Sequence, residues 1–209
     1  FTYKELLKIG VDKCKITLIS PGVNIDRFRP GLRTEDLLRS IGLSDNYNLI
    51  LSVGRLSRRK GFDKLLHTVA DLIAQGMDVN YALIGIGEDD AHLKQIAKDL
   101  KIAPHVHFLG HVLPEDLPRW YNACTLFAMP NREINGDTEG FGMVFIEAAA
   151  CRKPVIAGIA GGTGSAVLNG ETGLRVNGES VEEIANAIKQ LLTDKNGYNV
   201  MSDKAYTRA

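Results

Sequence analysis

Thr125-Leu-Phe-Ala-Met129-Pro130-Asn131-Arg-Glu-Ile-Asn-Gly-Asp-Thr-Glu139-Gly-Phe-Gly-Met143-Val-Phe-Ile-Glu147-Ala-Ala-Ala150-Cys-Arg-Lys-Pro154-Val-Ile-Ala157 reads as strand, loop, helix, strand. The apolar run that begins at Cys124 has the length of a buried strand, and Pro130 ends it because proline fixes φ and lacks an N–H. A polar loop passes through Gly140 and Gly142 into Met143–Ala150, a run of helix formers without a breaker. In parallel α/β sheets, the loop at the carboxyl end of a strand is where ligands bind, and the free N–H groups of the next helix favour an anion. Glu139 lies in that loop, and Glu147 lies about two turns inside the helix. A carboxylate on so apolar a helix needs a partner, since an unpaired buried charge costs several kcal/mol. Paired ribose hydroxyls would serve; the alternative is an exposed helix face for Glu147 and a loop acid near a helix N-terminus for Glu139.

The alternation extends both ways from this stretch. Strands are expected at 49–53, 80–85, 106–109, 125–129 and 154–157, and helices at 62–75, 90–100, 114–122 and 143–150. Near-continuous Ile, Leu and Val in the strands implies burial on both faces. The fold class is therefore α/β, a Rossmann-like parallel β-sheet flanked by helices on both faces. Further expectations are a β-type run at 16–20 before the Pro21-Gly22 turn, a linker-like region at 29–44 and a helix after Gly161-Gly162. A short strand at 173–176, an amphipathic helix at 181–192 and a last helix from Gly197 complete the chain.

Length and composition fit one domain over residues 1–209: 44% of the residues are hydrophobic, and 25 Lys plus Arg balance 25 Asp plus Glu. That balance gives no case for a nucleic-acid partner. No apolar run approaches a membrane span, and no signal peptide opens the chain. Cys14, Cys124 and Cys151 lack paired metal spacing, so packing residues and a reducing cytoplasm are expected.

Arg55 and Lys60 lie past the end of the 49–53 strand between Gly54 and Gly61, where backbone can bend around an anion and two cations can reach a diphosphate. A solvated basic loop is the alternative, since Arg58 and Arg59 are there too. Gly85-x-Gly87 after a strand is a weak dinucleotide signal, because Asp90 stands where a third glycine would be and Glu88-Asp89-Asp90 would repel a pyrophosphate. Those acids suit helix capping. His105 and His107 would share a strand face with His111 nearby, yet no cysteine or carboxylate has matching spacing, and no metal is expected.

Glu139-x7-Glu147, with Gly-Phe-Gly after the first glutamate and Pro154-Val-Ile-Ala after the second, resembles the signature of retaining glycosyltransferases of family 4, which have the GT-B fold. Val53-Gly-Arg55-Leu-Ser-Arg-Arg-Lys60-Gly61 resembles the family's phosphate-binding segment, Leu83-Ile-Gly85-Ile-Gly87-Glu88 its Gly-rich turn, and Val106-His-Phe-Leu-Gly110-His-Val112 its base-binding strand end. The resemblance covers about residues 16–193, the donor-binding half, and implies that an N-terminal acceptor domain and its catalytic histidine lie outside this chain. It further implies that Glu147 holds the ribose hydroxyls, Arg55 and Lys60 the diphosphate, and Glu139 the transferred sugar. Backbone groups after Gly140, through Phe141 and Gly142, would meet the sugar hydroxyls; Gly85 would permit close approach, and backbone around Gly110 to Val112 would read the base. The chain departs from the pattern after its double glycine, with Gly164-Ser165 where the family commonly has Pro-Glu.

The implied activity is transfer of a hexose from a GDP- or UDP-linked sugar, with no separate cofactor, to a glycan or glycolipid. The likeness is greatest to envelope-glycan mannosyltransferases, which implies GDP-mannose as donor, an acceptor such as lipopolysaccharide core, and a peripheral place at the inner face of the cell membrane. Two other classes compete: a non-catalytic sugar-nucleotide-binding module, and a glycoside hydrolase using Glu139 and Glu147 as its two carboxylates.

Overall fold

The computed structural model describes residues 2–44 and 47–209. Six strands, β1 (Leu49–Val53), β2 (Asn80–Ile84), β3 (Val106–Gly110), β4 (Leu126–Met129), β5 (Val155–Gly158) and β6 (Gly173–Val176), form one sheet in the order β3-β2-β1-β4-β5-β6. All five pairings are parallel. The Rossmann-like sandwich expected from the apolar strands is borne out: every residue of β1, β2, β4 and β5 is buried.

Helices α3 (Phe62–Ala74), α4 (Asp90–Asp99), α5 (Leu117–Ala123), α6 (Met143–Ala150), α7 (Val181–Thr193) and α8 (Lys195–Arg208) are the connections and the tail. In α7 the buried residues Ile184, Ala185, Ile188 and Leu191 follow the 3–4 spacing, and Ser180 caps its first turn by accepting from the Glu183 N–H. The chain leaves β1 for β2 and β3 on one side, then crosses back to β4 on the other. This reversal opens a crevice at the carboxyl ends of β1 and β4, the place where open α/β sheets bind ligands.

Several boundaries differ from expectation. Residues 16–20 pair with no strand; Leu18 and Ile19 are 78% and 83% exposed, so this β-prone run has no sheet edge to complete it. The expected linker at 29–44 contains α2 (Glu35–Ser40), docked through the buried Leu38. A further helix, α1 (Thr2–Lys8), precedes it without a buried residue. Residues 114–116 form a turn before α5, and the helix expected after Gly162 is only a 3₁₀ turn, Thr163–Ser165. Cys124 and Cys151 are buried, where desolvation pushes both thiols up to about 12, while Cys14 is exposed rather than packed.

Candidate functional site

Two loops meet in the crevice. The first leaves β1 through Gly54 and ends in the 3₁₀ turn Arg58–Lys60, closed by Gly61 at φ 75°. The second leaves β4 through Pro130 and carries Asn131 to Gly142. A side chain on Gly61 would stand 2.2 Å from the Pro130 carbonyl oxygen, so the absence of a Cβ lets the two loops touch. The Arg132 N–H donates to the Arg59 carbonyl at 2.8 Å. Its buried guanidinium bonds Asp63 at the start of α3 (2.9 Å) and pairs with Glu179 before α7 (3.2 Å). Asn131, fully buried, accepts from the Gly158 N–H and donates to the Ala160 carbonyl.

Glu139 sits where the loops face each other. Its Oε2 accepts from Lys60 Nζ at 2.5 Å and Arg59 Nη1 at 3.1 Å, and Arg59 Nε also pairs with Asp137 at 3.1 Å. Burial works to raise the Glu139 pKa, but the two cations win and hold it below the ordinary carboxylate value. Asp137 is placed by a tight turn: Ile134 and Asp137 exchange backbone bonds around Asn135 and Gly136, both at positive φ (51° and 79°). An Asn-Gly pair is the residue choice that this geometry demands, and it was the signal in the sequence for this turn.

Glu147 occupies a different environment. It is half-buried on α6, and its Oε2 accepts from the Tyr121 hydroxyl at 2.8 Å. Tyr121 is fully buried between the rings of Phe28 (5.8 Å) and Phe127 (5.6 Å). Desolvation raises the Glu147 pKa, opposed by the Tyr121 bond and the charge of Arg27. The partner that an apolar helix requires of its carboxylate is thus supplied within the protein.

The remaining expected residues distribute along the same rim. Lys60 crosses Gly54, its Cε 3.7 Å from where a Cβ would stand, which brings its stem to the strand end that carries Arg55. Arg55 is exposed and bonds Glu88 at 3.0 Å in an open cleft lined also by Gly54, Gly85, Gly87 and His111. A Cβ at Gly85 would fall 1.9 Å from the Gly54 carbonyl oxygen, and one at Gly87 2.3 Å from that of Leu56, so both glycines serve the packing of adjoining strand ends. Val112 packs partly buried just past β3. Gly140 is open, Phe141 packs against the core, and Gly142 (φ 90°) sits over the Phe145 ring at the α6 start. Gly161 and Gly162 pack against the Glu139 loop: Gly162 N–H donates to the Glu139 carbonyl at 2.7 Å, and added side chains there would strike the Glu139 and Gly140 carbonyls. Beside Gly164, the Arg175 guanidinium donates to the Ile159 carbonyl.

The acids at 88–90 do not cap α4 as expected. Asp89 stands at the cap position without a capping bond, Glu88 is taken by Arg55, and Asp90 pairs with Lys94. Among the described residues no cluster of three or more His, Cys, Asp or Glu could hold a metal, and no helix is long and apolar enough to cross a membrane.

Residues 34–208 match the family described as glycosyl transferases group 1. The chain belongs to that family. A GDP-mannose-dependent α-(1-6)-phosphatidylinositol monomannoside mannosyltransferase of Mycolicibacterium smegmatis is 37% identical over 179 residues, 84% of this chain and 47% of that protein. A D-inositol 3-phosphate glycosyltransferase of Rhodococcus jostii is 37% identical over 193 residues, 88% of this chain and 41% of that protein. The chain thus spans less than half the length of these relatives. Among solved structures, Anabaena Alr3699/HepE in complex with UDP superposes with a TM-score of 0.88 at 25% identity, over 99% of this chain and 56% of that one. The C-terminal domain of the Francisella tularensis group 1 glycosyl transferase LpcC shares the fold (TM-score 0.76, 22% identity), matching 89% of this chain and 95% of that domain.

Proposed function

We propose that the protein carrying this chain transfers a hexose from a nucleoside diphosphate sugar to an acceptor hydroxyl with retention at the anomeric carbon, and that this chain binds the donor. The observation that carries the reading is Glu139 held by Lys60 at the crevice between β1 and β4, which puts a carboxylate for sugar hydroxyls beside a cation for phosphate. Lys60 and Arg55 take the diphosphate, and charge-assisted bonds of this kind are worth about 1.5–3 kcal/mol each. Glu147, oriented by Tyr121, takes the ribose hydroxyls. Glu139 orients the transferred sugar, and the backbone of Gly140 to Gly142 donates to its hydroxyls. Gly85 and the backbone near Val112 border the base. The leaving phosphate, stabilised by the cations, accepts the acceptor's proton, so no protein base is required.

GDP-mannose is the donor we favour, because the Mycolicibacterium smegmatis relative is a GDP-mannose-dependent mannosyltransferase. The acceptor is a glycan or glycolipid of the cell envelope, bound by a preceding domain, with the enzyme working at the cytoplasmic face of the membrane. Calorimetric titration of the full-length protein with GDP-mannose and UDP-glucose tests the donor: tighter binding of the GDP-sugar is expected, and tighter binding of the UDP-sugar would remove mannose and GDP together. Arg55→Ala and Lys60→Ala should each lower transfer about 10- to 100-fold with the fold intact. Unchanged transfer in both would sink the site assignment. The opposed pKa displacements of Glu147 and Glu139 are also what a two-carboxylate glycoside hydrolase employs. Release of free sugar from a simple glycoside without nucleotide would favour that reading instead.

A further inference from the structure

We propose that Arg59 is a positioning residue that keeps Glu139 paired when Lys60 engages the donor's diphosphate, with Asp137 on the Asn135-Gly136 turn fixing Arg59 in place. The inference rests on the transferase reading for its functional consequence, although its geometry does not. Lys60 and Arg59 meet the same carboxylate oxygen, Glu139 Oε2. One ammonium cannot serve both that oxygen and a diphosphate at full strength. If Lys60 were the sole partner, donor binding would strand a carboxylate that is only 13% exposed, and a largely buried unpaired charge protonates or moves.

Arg59 is built for the second role. Its guanidinium is planar and presents several donors in a fixed fork, so it can hold two carboxylates at once, which an ammonium does poorly. It does so here, with Nε on Asp137 and Nη1 on Glu139, at 24% exposure. Its backbone is fixed as well, since the Arg59 carbonyl accepts from the Arg132 N–H and Arg132 is itself locked by Asp63 and Glu179. The charged groups that bear on Glu139 are Lys60 and Arg59 from the turn after β1 and, through Arg59, Asp137 from its own loop. The first turn of α6 brings no acid, and Gly161 and Gly162 present only backbone.

The test is a carboxyl-carbon NMR titration of Glu139 in the full-length protein, with and without saturating nucleoside diphosphate, alongside the pH profile of kcat/KM. In the wild type, Glu139 should titrate below an ordinary glutamate and stay there when the diphosphate binds. In Arg59→Gln its titration should move up by about one pH unit or more on diphosphate binding, and the acid limb of kcat/KM should move up with it. Arg59→Lys should restore the titration only in part, because lysine does not bridge to Asp137, and Asp137→Asn should give a smaller shift in the same direction. A Glu139 titration in Arg59→Gln that ignores the diphosphate overturns the proposal, as does full rescue by lysine. The NMR arm reads the ion pairs without any sugar transfer. Should the wild type bind the diphosphate but transfer nothing, the function would fail and the pairing would still be decided.

Discussion

Glu139 and Glu147 lie at the two ends of one loop-helix unit, yet their surroundings are opposite. Glu139 is held by two cations brought from the turn after β1. Glu147 is held by one neutral hydroxyl amid aromatic rings. Charge pairing keeps the first ionised, and burial works against ionisation of the second. The difference teaches that two glutamates eight residues apart are set by what the fold places around them, one tuned for charge and the other for orientation.

The strongest way to break this contrast is to move one end while sparing the other. Gly162→Ala would put a Cβ 1.8 Å from the Gly140 carbonyl oxygen, displacing the Glu139 loop and leaving α6 and Glu147 in place. A displacement of about 1 Å at a reacting centre costs about 100-fold in turnover, so transfer should collapse while the titration of Glu147 stays as in the wild type. A retained turnover would show that the Glu139 loop tolerates movement.

Next in size is Tyr121→Phe, which removes the hydroxyl and leaves the ring stack. Loss of a hydrogen bond to a charged group costs about 1.5–3 kcal/mol, so donor KM should rise about tenfold or more with kcat little changed. An unaltered KM would mean that Glu147 needs no orientation.

The smallest effects are on stability and have opposite signs. Glu139 has a lowered folded pKa, so its ionised form stabilises the fold above the ordinary carboxylate range, and that contribution is lost as pH falls through the lowered value. Glu139→Gln should therefore melt below the wild type at pH 7, on the order of 1 kcal/mol, with the gap closing in acid below about pH 4. Glu147 has a raised folded pKa, so its charge costs stability above that value. Glu147→Gln should melt at or above the wild type at pH 7, with the gain vanishing on acidification. Equal signs in thermal melts would erase the distinction.

Most of the sheet was legible because parallel strands buried on both faces advertise themselves as near-continuous Ile, Leu and Val, as in Leu49-Ile-Leu-Ser-Val53. The helices between them followed from breakers and periodicity. The ligand crevice was legible only as the general rule that such loops bind. The partners within it were not: Arg59 and Lys60 reach Glu139 across sequence separations of 80 and 79 residues, and no local pattern records that meeting. Arg59 looked like one more solvated cation beside Arg58. Tyr121, on an unremarkable helix, gave no sign that it would meet Glu147 through the core. The exposed run at 16–20 misled in the other direction, since β propensity reports fit to a pleated surface and not the presence of a neighbouring strand.

The segment Pro130–Asn131 has a consequence for motion. Side chains added at Gly61, Gly158 or Gly178 would strike its carbonyl oxygens, so two loops and the end of β5 close on it with no room to slide. Loops open first in most proteins, but the Asn131 amide, which donates to the Met129 carbonyl, should exchange as slowly as one in a central strand. Beyond that weld, the exposed turn at Asn135 and Gly136 is closed by the paired backbone bonds of Ile134 and Asp137. The floor beneath Glu139 is thus held as firmly as the sheet from which it rises.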